Sequence, residues 1–174
     1  MKIKKLIKIK HSIFLIFILI FALVLRLIFF VGLANTESQD DGVYINFARI
    51  VTLGQFSYDK TVLTEQYSNP VMILKTRSMM IYPTAFFFYI FGINDYSAVL
   101  WPLLSSLGSI VVIYYLGKLL VNEKVGLLSA FLLSFFPLDV INATRILPDI
   151  PATFFSILSV SVFFYAEKRN PKKK

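Results

Sequence analysis

Three aspartates are the groups best suited to move a proton in an otherwise apolar chain. Asp40 and Asp41 are adjacent, and Asp149 lies in the segment 145–151 between an arginine and a proline. A carboxylate held next to an acceptor hydroxyl can act as a general base, so all three are candidate catalytic residues. Spacing alone also allows a simpler role, because an aspartate can cap the helix that it begins.

Cationic side chains accompany these acids in the polar parts of the chain. Lys75, Arg77 and Arg145 are either ordinary loop charges or groups that neutralise a phosphate, which guanidinium groups bind through two parallel hydrogen bonds. Arg26 lies inside an apolar run, where a charge is costly, so we expect it to face other helices and to meet a carboxylate or a lipid phosphate. The alternative is that Arg26 extends towards a membrane interface.

The surrounding composition is that of a membrane protein. Hydrophobic residues make up 57% and charged residues 16% of the 174 residues, and the mean hydropathy is +0.71. A soluble domain is about 45–50% apolar and about 25% charged, so soluble and disordered chains are both excluded. The absence of cysteine excludes disulfides, thiolate metal sites and thiol nucleophiles, and the single His11 excludes a site with several histidines.

Four apolar runs predict four membrane-spanning helices, at about 12–34, 97–121, 125–144 and 150–166. The basic start and residues 32–34 are compatible with a cleaved signal peptide, but the length of the first run favours a retained helix. An outer loop, 35–96, separates the first two spans. In it we expect an amphipathic helix over 41–54 on the membrane surface, and a short apolar helix over 79–93 that is interfacial or re-entrant.

The net charge of +8 is concentrated at the two ends of the chain, which indicates topology or contact with anionic lipid rather than nucleic-acid binding. The positive-inside rule predicts that both termini, Lys118 and Lys124 face the cytoplasm. The loops 35–96 and 139–148 then share the outer face, which brings the acidic clusters to one side. We expect a multi-pass protein of the plasma membrane, and treat the chain as a single module over 1–174.

The order of these features resembles the GT-C superfamily of integral-membrane glycosyltransferases. The likeness extends from Leu25 to Ala166 and is greatest to the family 39 group, which includes protein O-mannosyltransferases and aminoarabinose transferases. The residues that carry it are Arg26 in the first span, Asp40-Asp41-Gly42-x-Tyr44-x-x-x-Ala48 followed by Gly54, Tyr82-Pro83 leading to Phe91-Gly92, and Arg145 with Asp149-x-Pro151.

The resemblance implies an all-α membrane fold and a role for each site residue. Asp40 matches the general base, and Asp149 lines the same site and, with Asp41, is a candidate ligand of a divalent metal ion. Candidate substrate- or phosphate-binding residues are Arg145, Arg77, Tyr82, Arg26 and Tyr44. The donor would be a sugar on a polyprenyl phosphate and the acceptor a hydroxyl of a protein, glycan or lipid, with inversion at the sugar. The aminoarabinose branch carries Glu-Lys-Pro before the aromatic segment, whereas this chain reads Met80-Ile81-Tyr82-Pro83, so the metal ligand of that branch is missing.

Two other functions remain open at this point. Members of the family are much longer, so the chain resembles their N-terminal portion. It can therefore be a non-catalytic module that binds lipid phosphate or pairs with a second membrane subunit. A small transporter or channel subunit is the other alternative, with Arg26 and Asp149 along its pathway. Against it, the remaining charges gather at the outer face rather than inside spans.

Overall fold

A computed structural model describes residues 2–30, 39–54 and 75–169. The helices in chain order are α1 (Lys2–Ile28), α2 (Gln39–Leu53), α3 (Ser78–Phe91), α4 (Asp95–Leu120), α5 (Glu123–Ser134), α6 (Pro137–Asn142) and α7 (Asp149–Arg169). Within the described residues three helices, α1 from His11 onwards, α4 and α7, are long and apolar enough to cross a membrane. The predicted all-α membrane fold is confirmed. Residues 31–38, 55–74 and 170–174, with the cleavage-site sequence and much of the outer loop, lie outside the described residues.

Asparagine side chains fix the start of two helices. The Asn94 side chain accepts from the Ser97 N–H at 2.9 Å, and the Ser97 hydroxyl accepts from the Asn94 N–H at 3.2 Å. This reciprocal cap satisfies two backbone donors at the start of α4. Asn122 accepts from the N–H groups of Lys124 and Val125, each at 3.0 Å. The short connection 122–124 between the predicted spans 97–121 and 125–144 therefore contains the start of α5.

The two long helices α4 and α7 run parallel to each other. Near their starts the rings of Trp101 and Phe155 lie 6.3 Å apart. Near their ends Lys168 Nζ donates to the Leu119 carbonyl oxygen at 2.8 Å. We call the end of the bundle where both begin the acidic end, after Asp40, Asp41 and Asp149. The opposite end is the basic end, after Lys118, Lys124 and Lys168.

Helix α1 runs in the opposite direction, from the basic end to the acidic end. Its last turn contacts α4 through a bond from Arg26 Nε to the Ser106 hydroxyl at 2.7 Å. Closer to its start, His11 Nδ1 pairs with the Glu123 carboxylate at the beginning of α5. Lys118 binds the other oxygen of the same carboxylate at 2.6 Å. This cluster joins α1, α4 and α5 at the basic end.

Helices α4 and α5 approach closely at two glycines. A Cβ added at Gly126 would lie 2.4 Å from the Tyr114 carbonyl oxygen. A Cβ added at Gly117 would lie 2.8 Å from the Gly126 Cα atom. Both separations are far below van der Waals contact, so glycine at both positions lets the two backbones touch.

The predicted third span, 125–144, is not one continuous helix. Helix α5 ends at Ser134, and Pro137 begins α6 after two residues. Phe136 has an extended backbone (φ −62, ψ 118), because a residue before proline avoids the helical region. Residues 123–148, which we call the return segment, carry the chain from the basic end back to the acidic end. Where the sequence predicts the third of four spans, the structure therefore has two short helices and a loop.

The predicted surface helix over 41–54 is α2, but its apolar face packs against protein. Tyr44, Phe47 and Ala48 are buried in one cluster with Ile81 and Phe88 of α3. The expectation that these three α2 residues lie on the membrane surface is therefore wrong. The short apolar segment expected at 79–93 is α3, and it stays helical across its internal proline. The α2–α3 pair covers the acidic end of α4.

Candidate functional site

Arg26 is fully buried and meets a carboxylate, one of the two partners expected from the sequence. Its Nη2 atom donates to Asp139. Its Nε atom donates to the Ser106 hydroxyl at 2.7 Å, and its Nη1 atom to the carbonyl oxygens of Ala22 and Ser134 at 2.9 and 3.0 Å. The guanidinium group thus joins α1, α4, α5 and α6 in the described structure. The expectation that Arg26 extends to an interface is wrong.

Asp139 is the carboxylate partner of Arg26, and it is not among the candidate residues selected from the sequence. It is buried in the first turn of α6, and besides Arg26 it accepts from the Ser106 hydroxyl at 2.5 Å. One signal was available, because Pro137 precedes Asp139 by two residues and proline favours the first turn of a new helix. Since α6 begins at Pro137, Asp139 lies in the first turn of a helix that packs in the bundle, and not in a loop.

Asp41 and Arg145 join the two halves of the candidate site. The Asp41 side chain is fully buried, and Arg145 Nη2 approaches its Oδ2 atom to 3.4 Å. The Oδ1 atom of Asp41 is buried and has no hydrogen-bond partner among the described residues. Burial raises the pKa of the Asp41 carboxyl above its usual 3.8, while the Arg145 guanidinium and the Ile146 N–H oppose the rise. The contact ties the start of α2 to the chain that leads into α7.

The two adjacent aspartates face different surroundings. Asp40 is exposed in the first turn of α2, whereas Asp41 is buried. Successive residues on a helix point about 100° apart, so only one of two neighbours can face the bundle. Asp40 is therefore exposed at the surface of the acidic end, whereas Asp41 binds Arg145 and so holds α2 in place.

The charges of several predicted site residues affect the Tyr44 hydroxyl. Tyr44 is buried one helical turn after Asp40. Burial is the largest cause that raises the pKa of its hydroxyl above the usual 10.0. The charge of Arg77 lowers this pKa, and the charges of Asp40, Asp149 and Asp41 raise it further. The acids from α2 and α7 and the cation before α3 are thus close enough to share one electrostatic environment.

The remaining predicted residues lie at the surface of the same end. Asp149 is exposed at the start of α7, and its carbonyl oxygen accepts from the Thr153 hydroxyl at 2.8 Å. Arg77 and Tyr82 are exposed at the start of α3. A bond from Trp101 Nε1 to the Met79 carbonyl oxygen, 2.9 Å long, fixes this turn of α3 against α4. The structure thus gathers every predicted site residue except Arg26 at or beside the acidic end.

The described residues hold no group of three or more histidine, aspartate or glutamate side chains that converge as metal ligands. Asp41 already faces Arg145, so Asp149 is the more accessible of the two predicted ligands. These two side chains alone form an incomplete ligand set for a divalent ion. We therefore derive no chemical step through a metal, and the metal-binding roles of Asp149 and Asp41 stay predictions.

The fold and the site define a class, namely an all-helical membrane protein with carboxylates and guanidinium groups gathered at one end of its helices. Residues 78–174, more than half of the chain, match the family described as dolichyl-phosphate-mannose-protein mannosyltransferase. The chain belongs to this family, which confirms the predicted likeness to GT-C glycosyltransferases and indicates sugar transfer as the general function. No curated protein and no solved structure gives a significant match to the chain.

The match begins at the first residue of α3 and includes Arg145 and Asp149. Helices α1 and α2 precede the matched segment, so the match does not include Arg26 or the acidic pair Asp40-Asp41. Side-chain contacts join these residues to the matched segment. Those contacts are the Arg26–Asp139 pair and the Asp41–Arg145 pair.

Proposed function

We propose that the chain transfers a sugar from a polyprenyl-phosphate-linked donor to an acceptor hydroxyl at the acidic end, with inversion at the sugar. The observation that carries the proposal is the Asp41–Arg145 contact. It holds the exposed Asp40 of α2 beside the segment that leads to Asp149. Two carboxylates, Asp40 and Asp149, and two guanidinium groups, those of Arg77 and Arg145, then lie at the acidic end. Asp40 and Arg77 precede the segment that matches the family, and Arg145 and Asp149 lie within it.

In the proposed reaction, Asp40 takes the proton from the acceptor hydroxyl, whose oxygen attacks the anomeric carbon of the donor. The bond between that carbon and the phosphate oxygen breaks, and the lipid phosphate leaves as an anion without needing a proton. A single displacement by the acceptor, opposite the leaving group, inverts the anomeric centre. Asp40 suits this role because it is accessible, whereas Asp41 is buried against Arg145.

The leaving phosphate needs positive charge close to its oxygens. Arg77 is exposed, and the Arg145 side chain keeps about a third of its surface accessible, 31%, while it faces Asp41. Guanidinium groups bind phosphate through paired hydrogen bonds. We assign Arg77 and Arg145 to the phosphate, and Tyr44 and Tyr82 to the edges of the donor site. Arg26 is assigned to holding α1 in place, since its donors bind protein groups.

The donor tail lies in the bilayer, so the proposed site must open at a membrane surface. We propose the outer face of the plasma membrane, with both termini in the cytoplasm, because most basic residues then lie inside. The acceptor protein, glycan or lipid would approach from the aqueous side.

Transfer by membranes that contain the Asp40→Asn chain tests the role of the base. Membranes are given a radiolabelled polyprenyl-phosphate mannose and a hydroxyl acceptor, and Glu167→Gln serves as a matched control because Glu167 is exposed in the last turn of α7. We expect transfer to fall at least a hundredfold in Asp40→Asn and to be unchanged in the control. Unchanged transfer in Asp40→Asn would exclude Asp40 as the base. No transfer by a normally inserted wild-type chain would instead favour a module that binds lipid phosphate or pairs with another subunit.

A further inference from the structure

A groove lies at the basic end of the bundle, between the last turns of α4 and α7. Its volume is about 460 Å³. The residues that line it include Tyr115, Lys118, Leu119, Val162, Tyr165 and Lys168. Because α4 and α7 run side by side, side chains from both helices form its walls.

The lining of this groove has the chemistry of a site for an amphiphile. Leu119 and Val162 provide apolar walls, and Lys118 and Lys168 add a positive charge each to the lining. Tyr115 and Tyr165 are each more than half exposed, at 56% and 57%. Tyrosine and lysine at the end of a spanning helix are typical of the level of the lipid headgroups. The groove therefore lies where a headgroup meets its acyl chains.

Both lysines of the groove are held in position, and among the described residues only Lys118 is paired with a carboxylate. Lys168 Nζ donates to the Leu119 carbonyl oxygen at 2.8 Å, a neutral partner that leaves its charge uncompensated by that bond. Lys118 is paired with Glu123 at 2.6 Å. Lys124 and Arg169 lie nearby at the ends of the adjoining helices. The surroundings of the groove are thus positive, which favours an anionic headgroup over a zwitterionic one.

We infer that this groove binds an anionic phospholipid of the surrounding bilayer, with an acyl chain between α4 and α7 and the phosphate beside Lys168. The site is separate from the proposed sugar-transfer site. Lys168 follows Asp149 by 19 residues of continuous helix, which is a distance of about 28 Å along the axis. Lipid binding at the basic end therefore does not depend on the assignment of the catalytic residues.

Native mass spectrometry of the purified full chain can count bound lipid directly. The chain, in a non-ionic detergent, is mixed with micelles that contain phosphatidylglycerol or phosphatidylcholine. Lys168→Gln removes the charge of Lys168, and Val162→Trp fills the apolar part of the groove. Their matched controls are Arg49→Gln, an exposed cation of α2 that does not line the groove, and Val160→Trp, an exposed valine of α7 that does not line it either.

We expect one phosphatidylglycerol per chain, about fivefold weaker binding in Lys168→Gln, the factor that one basic residue near an anionic surface contributes, and a similar or larger loss in Val162→Trp. Both controls should bind as the wild type does. Equal binding of phosphatidylcholine, or full binding by both groove variants, would overturn the inference. So would a polyprenyl phosphate or a protein helix that occupies the groove in preference to phosphatidylglycerol.

Discussion

Arg26 brings a charge into the apolar part of α1, and partners from four helices compensate for it. The buried pair with Asp139 is completed by the Ser106 hydroxyl and by two carbonyl oxygens. Such a pair is no guarantee of net stability, because both charges lose their hydration. Its stronger effect is on specificity, since only one arrangement of the helices satisfies all the donors.

Removal of one partner of this pair should therefore be far more harmful than removal of both. We expect Arg26→Met to lower the free energy of unfolding by about 3–5 kcal/mol, because the buried Asp139 loses its cationic partner. The double variant Arg26→Met with Asp139→Leu should recover most of that loss. Thermal unfolding in detergent, followed by the fluorescence of Trp101, measures both, with Arg49→Met as an exposed control. A double variant less stable than either single variant would contradict this account.

The pH dependence of stability should show the burial of Asp41. Burial raises its pKa above 3.8 in the folded chain, so the folded state binds this proton more tightly than the unfolded state does. The stabilisation is complete below pH 3.8 and is lost as the pH rises through the higher folded pKa. We therefore expect the melting temperature of the wild type, relative to Asp41→Asn, to fall as the pH increases over that range and then to level off. A rise would mean that Arg145 outweighs burial.

At the residue scale, the sequence predicted the kinds of group better than their partners. A buried arginine implied a carboxylate, but several acids were available, and only the packing of α6 against α1 selects Asp139. The neighbours Asp40 and Asp41 were indistinguishable as acids. Their roles separate because a helix turns by about 100° per residue, and the position of α2 against the bundle decides which one is buried.

At the scale of elements, the interruption of the return segment was the main feature that hydropathy did not predict. An average over a window treats the stretch 125–144 as uniformly apolar, although Pro137 cannot donate a helical hydrogen bond. Broken helices are tolerated at membrane depth where other groups satisfy the freed backbone. Here Arg26 donates to the Ser134 carbonyl oxygen at the end of α5. The helix break therefore gives the buried arginine an acceptor, and the arginine gives that carbonyl group a donor.

The glycine contact between α4 and α5 gives a prediction for these two elements. We expect Gly126→Ala to destabilise the chain by about 1–3 kcal/mol, because its methyl group would overlap the Tyr114 carbonyl oxygen. Gly42→Ala is the matched control. A Cβ at Gly42 would meet no atom of the described residues within 4 Å, so alanine should stabilise α2 by about 0.5–1 kcal/mol. Equal melting temperatures of the two variants would exclude the close approach of α4 and α5.

At the scale of the whole molecule, the parallel course of α4 and α7 requires a return between them. The sequence predicted this return as a full span, and the structure provides it as α5, α6 and a loop. The family match supports only the part of the chain from residue 78 onwards. The placement of α1 and α2 could be expected from the motif order, but the contacts that join them to the rest depend on tertiary packing.

Single cysteines can test the proposed orientation, because the natural chain has none. We expect Arg77→Cys to react with a membrane-impermeant maleimide in intact cells, and Lys124→Cys and Lys168→Cys to react only after the membrane is opened. Labelling of Lys168→Cys but not of Lys124→Cys in intact cells would show that the return segment does not cross the membrane. Labelling of both would reverse the proposed orientation.

The parallel arrangement of α4 and α7 also polarises the protein along its length. Each helix carries a macrodipole, equivalent to about half a positive elementary charge at its first turn and half a negative one at its last. Because both helices begin at the acidic end, their positive poles add there, where the proposed reaction releases a phosphate anion. Their negative poles add at the other end, where Lys118, Lys168 and Arg169 occupy the last turns. The backbone itself thus favours an anion at the site and cations opposite it.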